Sequence, residues 1–147
     1  MKNAKCIKCL SRSVRTYSGP GRTTRYRNIA AVPIPLTFGV PTCRRCRSEY
    51  YDAPTMAALT PLLHQEYLQE LKQRAKDAID ILMRYISQRR LERLLGLSQG
   101  YLSRVRAGSG NPSAELVSHL ALLAHDPRVR LLELERYWAI PRPRTEA

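Results

Sequence analysis

The sequence predicts a mostly α-helical chain in two parts: a small N-terminal four-cysteine ribbon with short β-strands, and a helical domain after it. Three observations lead there. Four cysteines fall into two CxxC pairs within the first 50 residues. From Thr55 the apolar residues recur at helical intervals rather than alternating. Residues 87–112, SQRRLERLLGLSQGYLSRVRAGSGNP, then read as two short helices joined by a tight turn. The predicted parts are a ribbon over 1–54, a connecting helix over 55–76, a helical domain over 77–140 and a frayed tail over 141–147.

Cys6, Cys9, Cys43 and Cys46 form the first element. Each CxxC turn aims two thiolates at one point, and two such turns make a tetrahedral zinc site. Four protein ligands close the coordination sphere, so one structural Zn²⁺ per chain is expected, not a catalytic one. A redox CxxC, a disulfide and iron in the same cage are the alternatives. Leu10 and Arg47 stand where such knuckles often carry Gly. Between the pairs, residues 18–24 read as a turn. Val32, Ile34, Leu36 and Phe38 alternate as strand residues, while Pro33, Pro35 and Pro41 confine strands to edges or ends. A small antiparallel sheet beside the metal is expected, with Tyr50 and Tyr51 packed on the ribbon.

Next comes a helix over residues 60–86, capped by Thr60 with Pro61 in its first turn. It is read as one helix or as two with a break. In the helix pair that follows, Ser87 caps the first member, and Leu91, Leu94 and Leu95 lie on its apolar face. Gly96 takes a turn position that favours positive φ. Ser98 is expected to cap the second member, whose apolar positions are Leu102 and Val105, with Gly108 as its stop. This is the helix-turn-helix pattern, whose second helix normally lies in the DNA major groove. Ser113 caps a further helix through Ala124. A last helix spans 128–138, with Val129, Leu131, Leu132, Leu134 and Trp138 apolar.

Charge bears on function. The chain carries 25 Lys and Arg against 12 Asp and Glu, a net +13. Such a chain is drawn to polyanions, nucleic acid first. Residues 1–50 hold eleven basic residues and one acid, and residues 51–147 hold fourteen and eleven. Over 84–108, six arginines face Glu92 alone. A tetrathiolate zinc site carries −2, so the ribbon keeps about +8. No run of about 18 apolar residues occurs, and no membrane span is expected. Without a signal-like apolar core the chain is expected to be soluble and cytoplasmic, where a disulfide framework is disfavoured. His64, His119 and His125 lie singly on helices and are assigned to surface or packing. No Ser/His/Asp set, Gly-rich phosphate loop or carboxylate cluster stands out, and no enzyme is predicted.

The paired CxxC motifs, the segment VPIPLTFGVPTCRRCRSEYYDA and the stretch SQRRLERLLGLSQGYLSRVRAG together resemble the MqsA family of antitoxins. Those proteins carry an N-terminal zinc ribbon and a C-terminal Xre-type helix-turn-helix. The resemblance covers roughly residues 5–138. It implies a homodimer that binds a palindromic operator in double-stranded DNA, represses its own operon and neutralises a toxin encoded beside it. By position, Gln88 would hold a phosphate, with Arg89 beside it. Ser98, Gln99, Gly100, Tyr101, Ser103 and Arg104 would face DNA, Arg104 as the base-reading arginine. Gly100 stands where well-known members have a base-reading Asn, so Gln99 would take over that role. Arg106 replaces the usual Glu and adds charge near the backbone. Glu92 replaces a small residue and must point outward or tilt the helices. The other readings are a standalone regulator of the same build, a ribbon that binds RNA or binds without sequence preference, and a basic module that binds an acidic protein.

Overall fold

The computed structural model describes residues 4–141. Four strands come first: β1 (Val14–Tyr17), β2 (Thr23–Tyr26), β3 (Ile29–Pro33) and β4 (Val40–Cys43). Five helices follow: α1 (Ala53–Leu82), α2 (Gln88–Leu94), α3 (Tyr101–Arg106), α4 (Ala114–His125) and α5 (Pro127–Ala139). The tail expected from residue 141 lies, beyond Pro141, outside the described residues. The chain divides into two compact units, one ending at Tyr67 and the other beginning at Leu68.

The strands form two antiparallel pairs. β1 pairs with β4 in the register Val14 opposite Cys43 and Tyr17 opposite Val40. The β2–β3 hairpin lies between them in sequence, with Tyr26 opposite Ile29. Strand alternation holds at Val32 and Ile34, which are buried, and fails at Leu36, which is 62% exposed. Pro33 and Pro35 bring no N–H to a ladder. The chain turns instead, Phe38 N–H donating to the Pro35 carbonyl at 3.0 Å. Arg22 staples this connection to β1, donating to the carbonyls of Tyr17, Gly19 and Phe38.

α1 corrects the expected helix start. Asp52, not Thr60, caps it: its carboxylate accepts from Thr55 N–H at 3.0 Å. Pro61 therefore lies inside the helix. The Thr60 hydroxyl donates back to the Met56 carbonyl at 2.7 Å. One stripe, Leu59, Leu63, Tyr67, Leu71, Ala75, Ile79 and Leu82, is buried along the helix after its first six residues. This spacing of four residues, and three at the last step, is what holds one face inward from Leu59 to Leu82. In the first unit Tyr67 hydroxyl donates to Asn28 Oδ1 at 2.8 Å, and the Tyr26 and Tyr67 rings meet edge-to-face at 5.6 Å. His64 packs in the same cluster, stacked 6.4 Å from Tyr67. The N-terminal half of α1 is thus built into the ribbon unit. The helix ends at Leu82, four residues before the expected Ile86, and a turn leads to α2.

In the second unit Leu91, Leu102, Val105, Val117, Leu120 and Leu131 are buried among the helices. Ser113 caps α4 as expected, accepting from Leu116 N–H at 3.1 Å. α5 departs from its expected apolar face. Leu131 is buried, but Val129, Leu132, Trp138 and Ile140 are 45–69% exposed. No helix among the described residues is long and apolar enough to cross a membrane.

Candidate metal centre and basic helical surface

The four cysteines come together at the open end of β1–β4. Their sulfurs all lie within 4.8 Å of one another, and no other group of three or more His, Cys, Asp or Glu among the described residues does the same. Cys6 Sγ is 3.5 Å from Cys46 Sγ, and Cys9 Sγ is 3.6 Å from Cys43 Sγ. A tetrahedral thiolate site with metal–sulfur bonds of about 2.3 Å sets its sulfurs about 3.8 Å apart. A disulfide requires about 2.05 Å. The arrangement therefore fits a metal ion and not a disulfide, and all four thiols are free.

Two equivalent turns build it. Cys6 N–H donates to the Ser11 carbonyl at 2.7 Å and Leu10 N–H to the Cys6 carbonyl at 2.8 Å. In the second turn Cys43 N–H donates to Ser48 at 2.9 Å and Arg47 N–H to Cys43 at 2.8 Å. Leu10 and Arg47 both adopt φ 60°. The missing glycines thus left the turn geometry intact, at a steric cost of roughly 1–2 kcal/mol per residue.

Three hydroxyls surround the sulfurs. Ser11 Oγ lies 3.2 Å from Cys9 Sγ and 3.4 Å from Cys43 Sγ. Ser48 Oγ lies 3.2 Å from Cys46 Sγ, and Tyr50 OH lies 2.7 Å from Cys6 Sγ. Burial works to raise the Cys6 thiol, but Tyr50 and backbone hydrogen bonds outweigh it and bring the thiol down to about 6. The Ser11 hydroxyl leads in lowering Cys43. Cys9 goes the other way: Ser11 lowers it, but burial and the neighbouring thiols prevail. The Cys6 contact pushes Tyr50 up to about 12. The two serines were legible in the repeated pattern CIKCLS and CRRCRS, though sequence reasoning did not use it. Tyr50 packs on the cysteine cluster as expected. Tyr51 does not: it is 36% exposed and donates to Glu49 Oε2 at 2.6 Å.

The second set of residues lies on α2 and α3. α2 ends with Leu97 N–H donating to the Glu92 carbonyl at 2.8 Å and Gly96 N–H to Arg93 at 3.2 Å. Gly96 has φ 66°, the left-handed conformation that this closure requires. Ser87 sits at the α2 N-cap, but its side chain makes no capping bond.

The expected Ser98 cap on α3 is also absent. The N-cap is Gly100, at φ 77°, and no side chain of its own segment caps the helix. Glu92 does so from α2. Its carboxylate accepts from Gly100 N–H at 3.1 Å, Leu102 N–H at 3.0 Å and the Gln88 amide at 3.0 Å. Glu92 is 2% exposed. The expectation that it points outward or tilts the helices is corrected: it points inward and joins them. Burial raises its carboxyl, but the two backbone N–H groups, Gln88 and the charge of Arg104 outweigh it and hold the group below the usual carboxylate range.

The remaining residues divide. Ser98, Gln99, Ser103 and Arg104 are exposed, and Arg89 is exposed on α2. Tyr101 is half-buried, with the Arg104 guanidinium 5.9 Å from its ring centre. Gln88 is drawn toward Glu92. Arg106 turns back on α1: its Nε lies 2.6 Å from Asp80 Oδ1, an ion pair too bent to count as a hydrogen bond. Arg90 pairs with Glu135 of α5 at 2.6 Å. No family model, curated protein or solved structure matches the chain.

Proposed function

We propose that the protein is a sequence-specific DNA-binding repressor whose ribbon is held by one zinc ion. The observation that carries this reading is the exposed polar edge of α3. Ser103 and Arg104 are exposed on a helix whose other face, Leu102 and Val105, is fully buried and whose start is pinned by Glu92, and Gln99 is exposed in the turn just before it. A short helix held by its buried face and by Glu92, with the arginine of its last turn left exposed, suits the recognition helix of an Xre-type helix-turn-helix. Arg104 reads guanine and Gln99 adenine. Arg89 contacts phosphate, and Gln88 offers the amide hydrogen not given to Glu92. A thiolate-only donor set favours zinc among the common divalent ions, and its closed sphere makes the ion structural.

The resemblance to MqsA-family proteins extends this reading to an antitoxin that controls its own operon and binds a neighbouring toxin. Homodimerisation is supported by the exposed apolar side of α5, and a light-scattering mass of one chain would count against it.

The test is a gel shift on DNA from upstream of the gene, with random-sequence competitor at near-physiological salt. Wild-type protein gives a discrete, competitor-resistant complex. Arg104→Ala lowers the preference for operator over random duplex by about 1–3 kcal/mol, the worth of one bidentate arginine–guanine contact. A wild-type complex that random DNA abolishes, or an unchanged preference in Arg104→Ala, overturns the assignment.

A further inference from the structure

The first unit carries a second feature that the helical surface does not use. A cavity of about 600 Å³ opens beside β1–β4, lined by Arg15, Arg22, Arg44 and Arg47, with Tyr17 and Glu49. Glu49 is the only acid there, and its carboxylate is engaged by the Tyr51 hydroxyl. Among the described residues none of the four arginines forms an ion pair. Arg22 is spent on backbone carbonyls and on the Tyr17 ring. Arg15 gives one N–H to its neighbouring carbonyl. Arg44 and Arg47 are exposed, and among the described residues their guanidinium groups make no hydrogen bond or ion pair.

The arginines do not simply neutralise the cysteine site. Among the described residues no guanidinium donates to a cysteine sulfur, whose hydroxyl neighbours are Ser11, Ser48 and Tyr50. Four cations, Glu49 and a metal–tetrathiolate of −2 still leave a positive sum. A concave wall concentrates that field. The basic groups are all arginine, whose planar fork binds phosphate oxygens in pairs. Tyr17 adds a 53% exposed ring at the rim, a surface on which a base or sugar can stack.

We propose that this arginine cavity of the ribbon is a phosphate site for nucleic acid, with Arg44 and Arg47 as its principal donors. The proposal rests on the nucleic-acid reading above and deepens it: the ribbon adds affinity without sequence information, while α3 reads bases. An acidic peptide would satisfy the arginines but not the exposed ring.

The experiment measures the salt dependence of duplex binding by full-length protein, on operator and on random-sequence DNA, with metal content and circular dichroism as checks on folding. Arg44→Gln combined with Arg47→Gln weakens both duplexes by the same factor. It also flattens the slope of log affinity against log salt by about 0.9 for each phosphate that the variant no longer neutralises. Arg44→Lys with Arg47→Lys restores the slope. An unchanged slope in a folded, metal-loaded Gln variant overturns the proposal, as does loss of binding to polyglutamate with none to duplex. Arg104→Ala in parallel separates the two readings. It alters the ratio of operator to random binding, whereas the ribbon variant leaves that ratio fixed.

Discussion

Glu92 shows how one side chain can carry a local structure. It is the only charged residue among those buried in the described chain, and it is held by three donors. Two of those donors are the backbone N–H groups at the start of α3, which no residue nearby in sequence satisfies. Glu92→Ala leaves them orphaned and is expected to cost about 1–3 kcal/mol. Glu92→Gln is a finer probe: its amide keeps one acceptor oxygen but turns an NH₂ toward a backbone N–H. In both variants the Gly100 and Leu102 amides exchange with solvent faster than in wild type; equal exchange would refute the capping role. The pH dependence follows. The folded carboxyl lies below its unfolded value, so its stabilisation is full above the unfolded range near ~4.3 and is lost as pH falls through the folded value. The wild-type advantage over Glu92→Gln therefore shrinks under acid and is constant at neutral pH. None of this was legible in the sequence. A Glu beside Leu91 reads as a solvated position, because its partners sit eight and ten residues away across a turn.

At the scale of elements, the cysteine turns and the helix pair were legible for the same reason: their signals are local. CxxC spacing fixes two sulfurs on one turn, and Gly96 marks a left-handed closure whatever surrounds it. The start of α1 was not, because two rules competed. Thr60-Pro61 is a good helix opening, and so is Asp52 followed by Pro54, which adds two further turns. Packing of Leu59 and Leu63 in the ribbon unit decided for the earlier start. Strand β1 was missed because Val14–Tyr17 exposes three of its four residues and shows no alternation. The cysteine turns also carry a prediction. Leu10 is 65% exposed at φ 60°, so its side chain contributes strain and little burial. Leu10→Gly relieves roughly 1–2 kcal/mol of left-handed strain and loses about 0.5–1 kcal/mol to the freer unfolded chain. A small net gain in ribbon stability is expected, read as a raised denaturant midpoint for the metal-loaded protein. A lowered midpoint would mean that the exposed leucine packs on something.

The division of the whole molecule into two units makes the metal's contribution separable. The cysteine end of the ribbon has a very small apolar cluster, Cys6, Val14 and Cys43, with Tyr50 packed against it. Two of those three are themselves metal-binding candidates, so removing the ion leaves Val14 as the main apolar anchor there. Such a cluster cannot offset the chain entropy of the residues it orders. The β2–β3 hairpin is anchored independently, by Tyr67 on Asn28 and by Tyr26 against Tyr67. The second unit carries its own buried leucines on α2 to α5. Elemental analysis of the purified protein is expected to find one zinc per chain. Chelation should then melt the molecule in order: amide protection disappears from the β1–β4 ladder first, persists in the hairpin, and is unaffected in α2 to α5. On the proposed reading, DNA binding then loses its ribbon share while operator preference survives, since α3 depends on Glu92 rather than on the metal. Protection lost at once in both units would mean that the ion supports the helical unit as well, and the two could not be treated as separable. Protection unchanged everywhere would mean that the four cysteines hold the ribbon without an ion.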